Sequence, residues 1–315
     1  MSKNILLVGS GGMAADYVKV LSALELKFTI VGRGEQSAKT CSEATGCEVI
    51  TGGLAPYLAK NPAIPSHAIV AVGVEKLYET TLQLLAYGVK KILVEKPAGL
   101  NMQEMMAMKQ KAHECSAAIY VAYNRRFYSS VLKAQEIVAE DGGVTSFNFE
   151  FTEWAHQIEK LTKAPGVKAR WFLANSTHVV DLAFYLGGSP EQMSTYTSGG
   201  LDWHPAGSVY AGAGLSQGGA LFSYQANWES AGRWGVELLT KSHRLILRPM
   251  EKLQIQKRGS VAIEFVACDD QLDLDFKPGL FLQTQNFTNN LAEGLCTIEN
   301  QVSMMDHYCR IASYD

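Results

Sequence analysis

The stretch Ile5-Leu6-Leu7-Val8-Gly9-Ser10-Gly11-Gly12-Met13-Ala14 decides the fold. Four apolar residues end in a glycine-rich turn, and a segment with helical spacing (Met13–Leu24) begins at once. A short continuous apolar run followed by such a segment reads as a buried strand feeding a helix. The turn itself is Gly-x-Gly-x-x-Ala. Gly9 permits the tight turn, Gly11 lets backbone approach a pyrophosphate, and Ala14 allows close helix–strand packing. The helix start then offers free N–H groups and its positive end to phosphates. The same pattern also serves as a purely structural turn, so its place on the first strand of a βαβ unit carries the dinucleotide reading.

Outward from this turn the pattern repeats. Phe28–Val31, Ala68–Val72, Ile92–Val94 and Ile119–Ala122 are further buried-strand segments, and Ser37–Thr45, Leu77–Tyr87 and Asn101–Ser116 have helical spacing. Alternation of this kind predicts a doubly wound parallel sheet with right-handed crossovers. Beyond residue 122 strands dominate: Val144–Thr152, Met193–Thr197, Val209–Gly212, Ala220–Ala226, Val236–Leu239, Arg244–Leu247, Leu253–Gln256 and Val261–Ala267. Helices are expected at Ser129–Glu140, His178–Leu186, Gln283–Gly294 and Val302–Tyr314. The expected fold class is α/β: a Rossmann domain over residues 1–121, then an α+β domain over 122–315 with one large, mostly antiparallel sheet. One face of that sheet needs a cover, which points to a homo-oligomer, a dimer or tetramer.

Composition narrows the function. The 315 residues are 47% hydrophobic, and 28 Lys+Arg against 31 Asp+Glu give a net charge of −3. That charge provides no general pull toward nucleic acid or an anionic membrane. The longest apolar run, Ala68–Val74, is far below the roughly 20 residues a spanning helix needs. The N-terminus has no signal-peptide pattern. Six scattered cysteines without a C-x-x-C pair indicate neither zinc nor a disulfide framework. A cytoplasmic protein without a metal site is expected.

The second strand runs into Val31-Gly32-Arg33-Gly34, where NAD-binding sequences usually place an acidic residue for the ribose 2′-hydroxyl. Gly32 holds that position and Arg33 follows. With Ser37 and Lys39 at the next helix start, Arg33 suits a 2′-phosphate, so NADP is expected in preference to NAD. Glu35 could instead receive a ribose hydroxyl, and Arg33 read alone is also an ordinary surface residue.

At Ile92-Leu93-Val94-Glu95-Lys96-Pro97-Ala98 the chain resembles the glucose–fructose oxidoreductase/inositol dehydrogenase (Gfo/Idh/MocA) family, whose most specific local mark is Glu-Lys-Pro at the end of a late Rossmann strand. Tyr123-Asn124-Arg125-Arg126-Phe127 is similar to its Asn-Arg-Arg-Phe stretch, and His178-Val179-Val180-Asp181-Leu182 to its His-x-x-Asp helix. The resemblance implies an NAD(P)-dependent oxidoreductase that moves a hydride between nicotinamide and a sugar, sugar derivative or polyol. It also permits NAD-assisted glycoside hydrolysis, or a non-catalytic cofactor-binding regulator. Catalysis would fall to Lys96 as acid/base, its pKa lowered by partial burial and a neighbouring nicotinamide cation, with His178 assisting. The expected cofactor-binding set is Gly9, Ser10, Gly11, Gly12, Met13, Ala14, Gly32, Arg33, Ser37, Gly73, Glu95 and Lys96. Glu95 either orients the lysine, bonds the cofactor or forms a plain salt bridge.

Substrate contacts are expected from Asn124, Arg125, Arg126, Asn175 and Asp181. Asp181 shares a helix face with His178, where it orients the imidazole or bonds nearby backbone. Two departures stand out. The family commonly has Asp four residues before this histidine and Gly two before it, where this chain has Ala174 and Ser176, with Asn175 able to supply a hydrogen bond. Its Thr-Pro-x-x-x-His is replaced by Gly73-Val74-Glu75-Lys76-Leu77-Tyr78. An atypical substrate or a changed proton path is expected, with loss of activity as the alternative. All five tryptophans (Trp154, Trp171, Trp203, Trp228, Trp234) fall in the second domain, where sugar rings could stack. Arg125, Arg126, Lys163, Lys168 and Arg170 could favour an anionic sugar or sugar nucleotide.

Overall fold

The computed structural model describes residues 3–314. Contacts divide the chain into two units, one of residues 1–124 with 274–303, the other of 125–273 with 304–315. The first unit begins β1 (Asn4–Val8), α1 (Gly12–Ala23), β2 (Lys27–Val31), α2 (Glu35–Thr45), β3 (Val49–Ile50), α3 (Leu54–Leu58), β4 (His67–Val70), α4 (Leu77–Tyr87), β5 (Lys91–Glu95), α5 (Met102–Glu114) and β6 (Ala118–Ala122). The second contains α6 (Ser129–Glu140), β7 (Ser146–Glu150), α7 (Ala155–Ile158), α8 (Thr177–Gly187), β8 (Pro190–Ser198), β9 (Val209–Ser216), β10 (Leu221–Asn227), β11 (Gly235–Leu239), β12 (His243–Leu247), β13 (Gln254–Lys257) and β14 (Ile263–Phe265). The chain continues through α9 (Gln271–Asp275), α10 (Leu280–Asn289), β15 (Cys296–Thr297) and α11 (Ile298–Ala312).

The first sheet is ordered β15-β6-β5-β4-β1-β2-β3. All its pairs are parallel except β15 with β6. Read from β3 to β6, this is the 3-2-1-4-5-6 order of a dinucleotide-binding sheet, with its topological switch between β1 and β4. Ile5, Leu7, Ile69, Leu93 and Val94 are fully buried, as a parallel sheet covered on both faces requires. Each such side chain contributes about 1.5–3 kcal/mol through burial. Helix α5 starts where its sequence says it should: Asn101 Oδ1 accepts from Glu104 N at 2.9 Å, and Glu104 accepts in return from Leu100 N at 2.7 Å.

The division departs from a single cut after residue 121. It falls after Asn124, and the segment 274–303 returns to the first unit, adding α10 and the edge strand β15. No local pattern distinguishes a segment that returns to an earlier sheet from one that stays with its neighbours in sequence. Strand β3, two residues long, escapes a reading based on apolar runs for the simpler reason that it is too short.

The second sheet is ordered β14-β13-β12-β11-β7-β10-β9-β8. Every pair is antiparallel except β10 with β7. Along β10, Phe222, Tyr224 and Ala226 are buried, while Leu221, Ser223, Gln225 and Asn227 are exposed. The buried face meets α8: the Phe184 ring stands edge-on to Phe149 and Phe222, at centroid separations of 5.3 and 5.2 Å.

Two buried histidines give folding a pH dependence. His67 lies between Ser66 Oγ and Asn290 Oδ1, both at 3.0 Å, and His204 between Gly207 O at 2.8 Å and Tyr314 Oη at 2.7 Å. Burial pushes both imidazole pKa values below the usual value. A base whose pKa is lower folded than unfolded binds fewer protons when folded, so stability is lost as pH falls below the unfolded histidine value of about 6.5. Thermal midpoints measured from pH 7 to pH 5 should fall for the wild type. His204→Gln should lower the midpoint at pH 7 yet flatten that slope; an unchanged slope would remove His204 from the account.

Candidate active site

Strand β1 ends against two neighbours. Gly9 N donates to Val31 O at 2.8 Å, its φ is +131°, and a Cβ there would stand 2.2 Å from Ala71 O. Only glycine combines that backbone with that approach. The next glycines behave differently. A Cβ built on Gly11 or Gly12 meets no atom within 4 Å, and no side chain caps α1. The first N–H groups of this twelve-residue helix have no side-chain cap, and the space beside Gly11 and Gly12 is open, an arrangement suited to a phosphate. Ala14 is fully buried, in keeping with close helix–strand packing.

At the end of β2, Gly32 is held by Ile50 O and Gly53 N, at 2.8 and 2.9 Å. A Cβ on Gly32 would come within 2.6 Å of Ser10 Oγ and 2.8 Å of Ser10 Cβ, so packing leaves no room for an acidic residue. Ser37 Oγ donates to Gly34 O at 3.1 Å, which makes Ser10 the donor in the 2.9 Å contact between the two hydroxyls. Arg33 is exposed beside Gly53. Gly73 is exposed just past β4.

At the end of β5, Tyr17 Oη donates to Glu95 Oε1 at 2.9 Å. Burial pushes the Glu95 carboxyl up, against the pull of Lys96, Tyr17 and Lys277. Lys96 is half-buried and is joined to Pro97 by a cis peptide. Pro97 O accepts from Gln301 Nε2 at 3.1 Å, and Ala98 N donates to Glu95 O at 3.0 Å, closing the turn behind the lysine. Parallel pairing puts Lys96 on the same carboxyl edge of the sheet as Gly9. Lys277 reaches Met13 Sδ at 2.8 Å and Asp16 Oδ2 at 3.7 Å, bringing a cation to the first turns of α1. Sequence reasoning missed both Tyr17 and Lys277. Tyr17 is one turn beyond Met13 and could have been found by helical spacing, whereas Lys277 arrives on the returning segment and carries no local signal. Asn124 is buried and donates to Pro278 O at 2.9 Å, anchoring that same segment.

In the second unit, the two adjacent arginines part company. Arg126 is buried and forms a forked pair with Asp181, Nε–Oδ2 2.8 Å and Nη2–Oδ1 2.6 Å, while its guanidinium covers the Tyr185 ring at 4.5 Å. Arg125 instead lies over Trp234, 4.8 Å from the ring centroid, and burial pushes its pKa down.

Ahead of α8, residues Phe172–Ser176 form a π-type turn, a feature frequent at functional sites. It lets two consecutive side chains converge: Asn175 Nδ2 and Ser176 Oγ both donate to Glu153 Oε1, at 2.9 and 2.8 Å. Arg233 Nη1 approaches Glu153 Oε2 at 3.4 Å. Glu153 is 1% exposed, so a buried carboxylate is bonded to the two residues that follow Ala174, a position that itself supplies none. Sequence reasoning missed Glu153 too, but a signal existed. Phe147, Phe149 and Phe151 alternate inward, and the same period of two reaches residue 153. The His178 ring lies 6.1 Å from that of Trp234.

The tryptophans sort by environment. Trp171, Trp203 and Trp228 form one ring cluster with His204 and Tyr210. Trp154, 41% exposed, lines a cavity of about 790 Å³ with Trp203, His156 and Asp202; neither His178 nor Arg125 lines it. Of the other basic residues, Lys168 donates to Glu159 O and Arg170 covers Tyr314. Among the described residues no group of three or more His, Cys, Asp and Glu is placed to hold a metal, and no helix is long and apolar enough to cross a membrane.

Residues 3–123 match the profile of an oxidoreductase family with an NAD-binding Rossmann fold, Gfo/Idh/MocA. No curated protein matches the chain in sequence. Solved structures resemble it over its whole length. A levoglucosan dehydrogenase in complex with NADH aligns over 100% of this chain and 97% of its own, with 16% identity and a TM-score of 0.78. The UDP-N-acetylglucosamine 3-dehydrogenase of Acidithiobacillus ferrooxidans covers 100% and 98%, at 13% identity and 0.76. An oxidoreductase from Agrobacterium radiobacter in complex with NAD+, L-tartaric acid and magnesium covers 100% and 96%, at 14% and 0.77. At these identities the likeness establishes the fold.

The closed geometry of Arg126 and Asp181 makes a stability prediction. Removing one partner of a buried ion pair strands the other charge and costs about 3–5 kcal/mol. Arg126→Met should therefore unfold at markedly lower denaturant concentration. A variant of normal stability with lost substrate affinity would instead place Arg126 on the ligand.

Proposed function

We propose that this chain, whose residues 3–123 form a Rossmann domain of the Gfo/Idh/MocA oxidoreductase family, moves a hydride between NAD(P) and a secondary alcohol of a sugar, sugar derivative or polyol. The observation that carries the reading is the turn after β1: a glycine locked by Ala71 O, followed by open helix N–H groups, on the same sheet edge as Lys96. Gly9 to Ala14 would hold the pyrophosphate and Ser10, Gly32, Arg33 and Ser37 the adenosine ribose, with Gly73, Glu95 and Lys96 along the same edge. The bound nicotinamide supplies the hydride acceptor or donor. Lys96 takes or returns the hydroxyl proton at Nζ, positioned by the Pro97–Ala98 turn, and His178 assists. Asn175 is held by Glu153 and contributes a polar group to the substrate side. The protein acts in the cytoplasm as a homo-oligomer joined through the uncovered face of the second sheet.

NADP is the preferred cofactor. The crowding of Gly32 by Ser10 excludes the carboxylate that would repel a 2′-phosphate, and Arg33 is exposed beside Gly53. A charge-assisted contact contributes roughly 1.5–3 kcal/mol, so Arg33→Ala should weaken NADPH binding by about tenfold or more while leaving NADH nearly unchanged. Equal affinities in the wild type would reject this preference.

Two kinetic results decide the function. Lys96→Met should lower turnover by roughly two to four powers of ten with little change in cofactor affinity. His178→Asn should reduce turnover or substrate affinity with the thermal midpoint retained. Near-normal turnover in Lys96→Met would overturn the acid/base assignment. A glycone released with no net change at 340 nm would assign the chain to glycoside hydrolysis instead.

A further inference from the structure

Resting on that functional reading, we infer that the substrate carries an oxyanion, carboxylate or phosphoryl, and that Arg125 and Arg233 receive it beside Trp234. Both guanidiniums lie against one indole, Arg125 at 4.8 Å and Arg233 at 4.6 Å from its centroid. Arg233 is flanked on another side by Trp154, at 4.8 Å. Aromatic faces hold a guanidinium in place without neutralising it, so the two arginines are braced and remain charged.

Protein counter-charge is short here. Among the described residues no ion pair joins Arg125 to a carboxylate; Tyr128, Glu251 and Glu153 favour its charged form from a distance, and Arg233 opposes it. Glu153 faces Arg233 at 3.4 Å with one oxygen, and its other oxygen is taken by Asn175 and Ser176. Two donors are also left over: Arg125 Nε and Trp234 Nε1 are buried and meet no acceptor among the described residues. Trp234 is only 5% exposed, so that donor has little access to water. Buried donors without acceptors are costly unless an acceptor-rich group arrives.

The neighbouring arginine shows the contrast. Arg126 spends its fork on Asp181, whereas among the described residues no carboxylate forms such a fork with Arg125. Among the other candidates, Lys168 and Arg170 are occupied elsewhere, and exposed Lys163 is absent from the cluster. The His178 ring, 6.1 Å from Trp234, places the cluster beside the residue assigned to assist the reaction. Two planar forks match the paired oxygens of a carboxylate or phosphoryl group; a neutral polyol supplies no such charge.

The test uses the full-length protein saturated with NADPH and follows tryptophan fluorescence. Neutral hexoses, their uronates and their 6-phosphates are titrated as matched series. In at least one series an anionic member should bind about tenfold or more tighter than its neutral parent. A uronate advantage identifies the carboxylate, and a 6-phosphate advantage the phosphoryl group. Arg233→Gln, at a half-exposed position, should shrink the gap below about threefold, and Arg233→Lys should retain more of it. NADPH affinity should stay within about threefold of wild type in both variants. No anionic advantage in any series, a gap that survives Arg233→Gln, or a loss of NADPH affinity in its place would overturn the inference. Absorbance at 340 nm is read separately. An anion that binds through Arg233 in a protein that oxidises none of the sugars leaves this site standing and removes the oxidoreductase reading. Oxidation of neutral sugars alone does the reverse.

Discussion

The first unit depends on the approach of Gly9 to Ala71. Strand β1 must end between β2 and β4, and the chain must turn there without a side chain, because a Cβ would sit 2.2 Å from a carbonyl oxygen. The positive φ of Gly9 then directs the chain into α1, whose N–H groups open onto the carboxyl edge of the sheet. Ser10, the next residue, fills the space that a side chain at position 32 would need and reaches toward Ser37. One steric constraint thus sets both the turn into α1 and the side-chain-free position at the end of β2.

The second unit is organised around burial of charge. Arg126 and Asp181 neutralise each other and tie the segment entering the unit to α8. Glu153 collects Asn175, Ser176 and Arg233 around one buried carboxylate. Their neighbour Arg125 lies over Trp234, and among the described residues no ion pair joins it to a carboxylate. A buried charge that is paired is structural, and one left without an ion-pair partner carries a desolvation cost that a ligand can relieve.

How much of this was legible follows from the range of each interaction. The central strands β1, β4 and β5 are short apolar runs because both their faces are buried, and so they show in sequence. Helix α6 coincides with its expected span, and α4 likewise, since their apolar spacing is regular. The return of 274–303 to the first sheet, and with it Lys277 at the start of α1, depends on pairing across more than a hundred residues and leaves no local trace. Arg125 and Arg126 are identical in type and adjacent, and only their partners, Trp234 and Asp181, separate their roles. The π-type turn before α8 falls inside a segment whose apolar pattern reads equally well as irregular chain, so the convergence of Asn175 and Ser176 on Glu153 could not be foreseen.

The central claim, that the β1–α1 turn is a dinucleotide site, is tested most directly at Gly11. Its backbone is extended, with φ −88° and ψ −173°, and a Cβ there meets no atom within 4 Å. Gly11→Val should therefore fold normally, with a loss of N-cap preference near 1 kcal/mol and a midpoint drop of only a few degrees. Its new methyl groups would occupy the space in which the pyrophosphate lies. NADPH titrated into wild type and Gly11→Val should bind the first and be lost, by about a hundredfold or more, from the second. A Gly11→Val protein that binds NADPH as tightly as wild type would contradict the account.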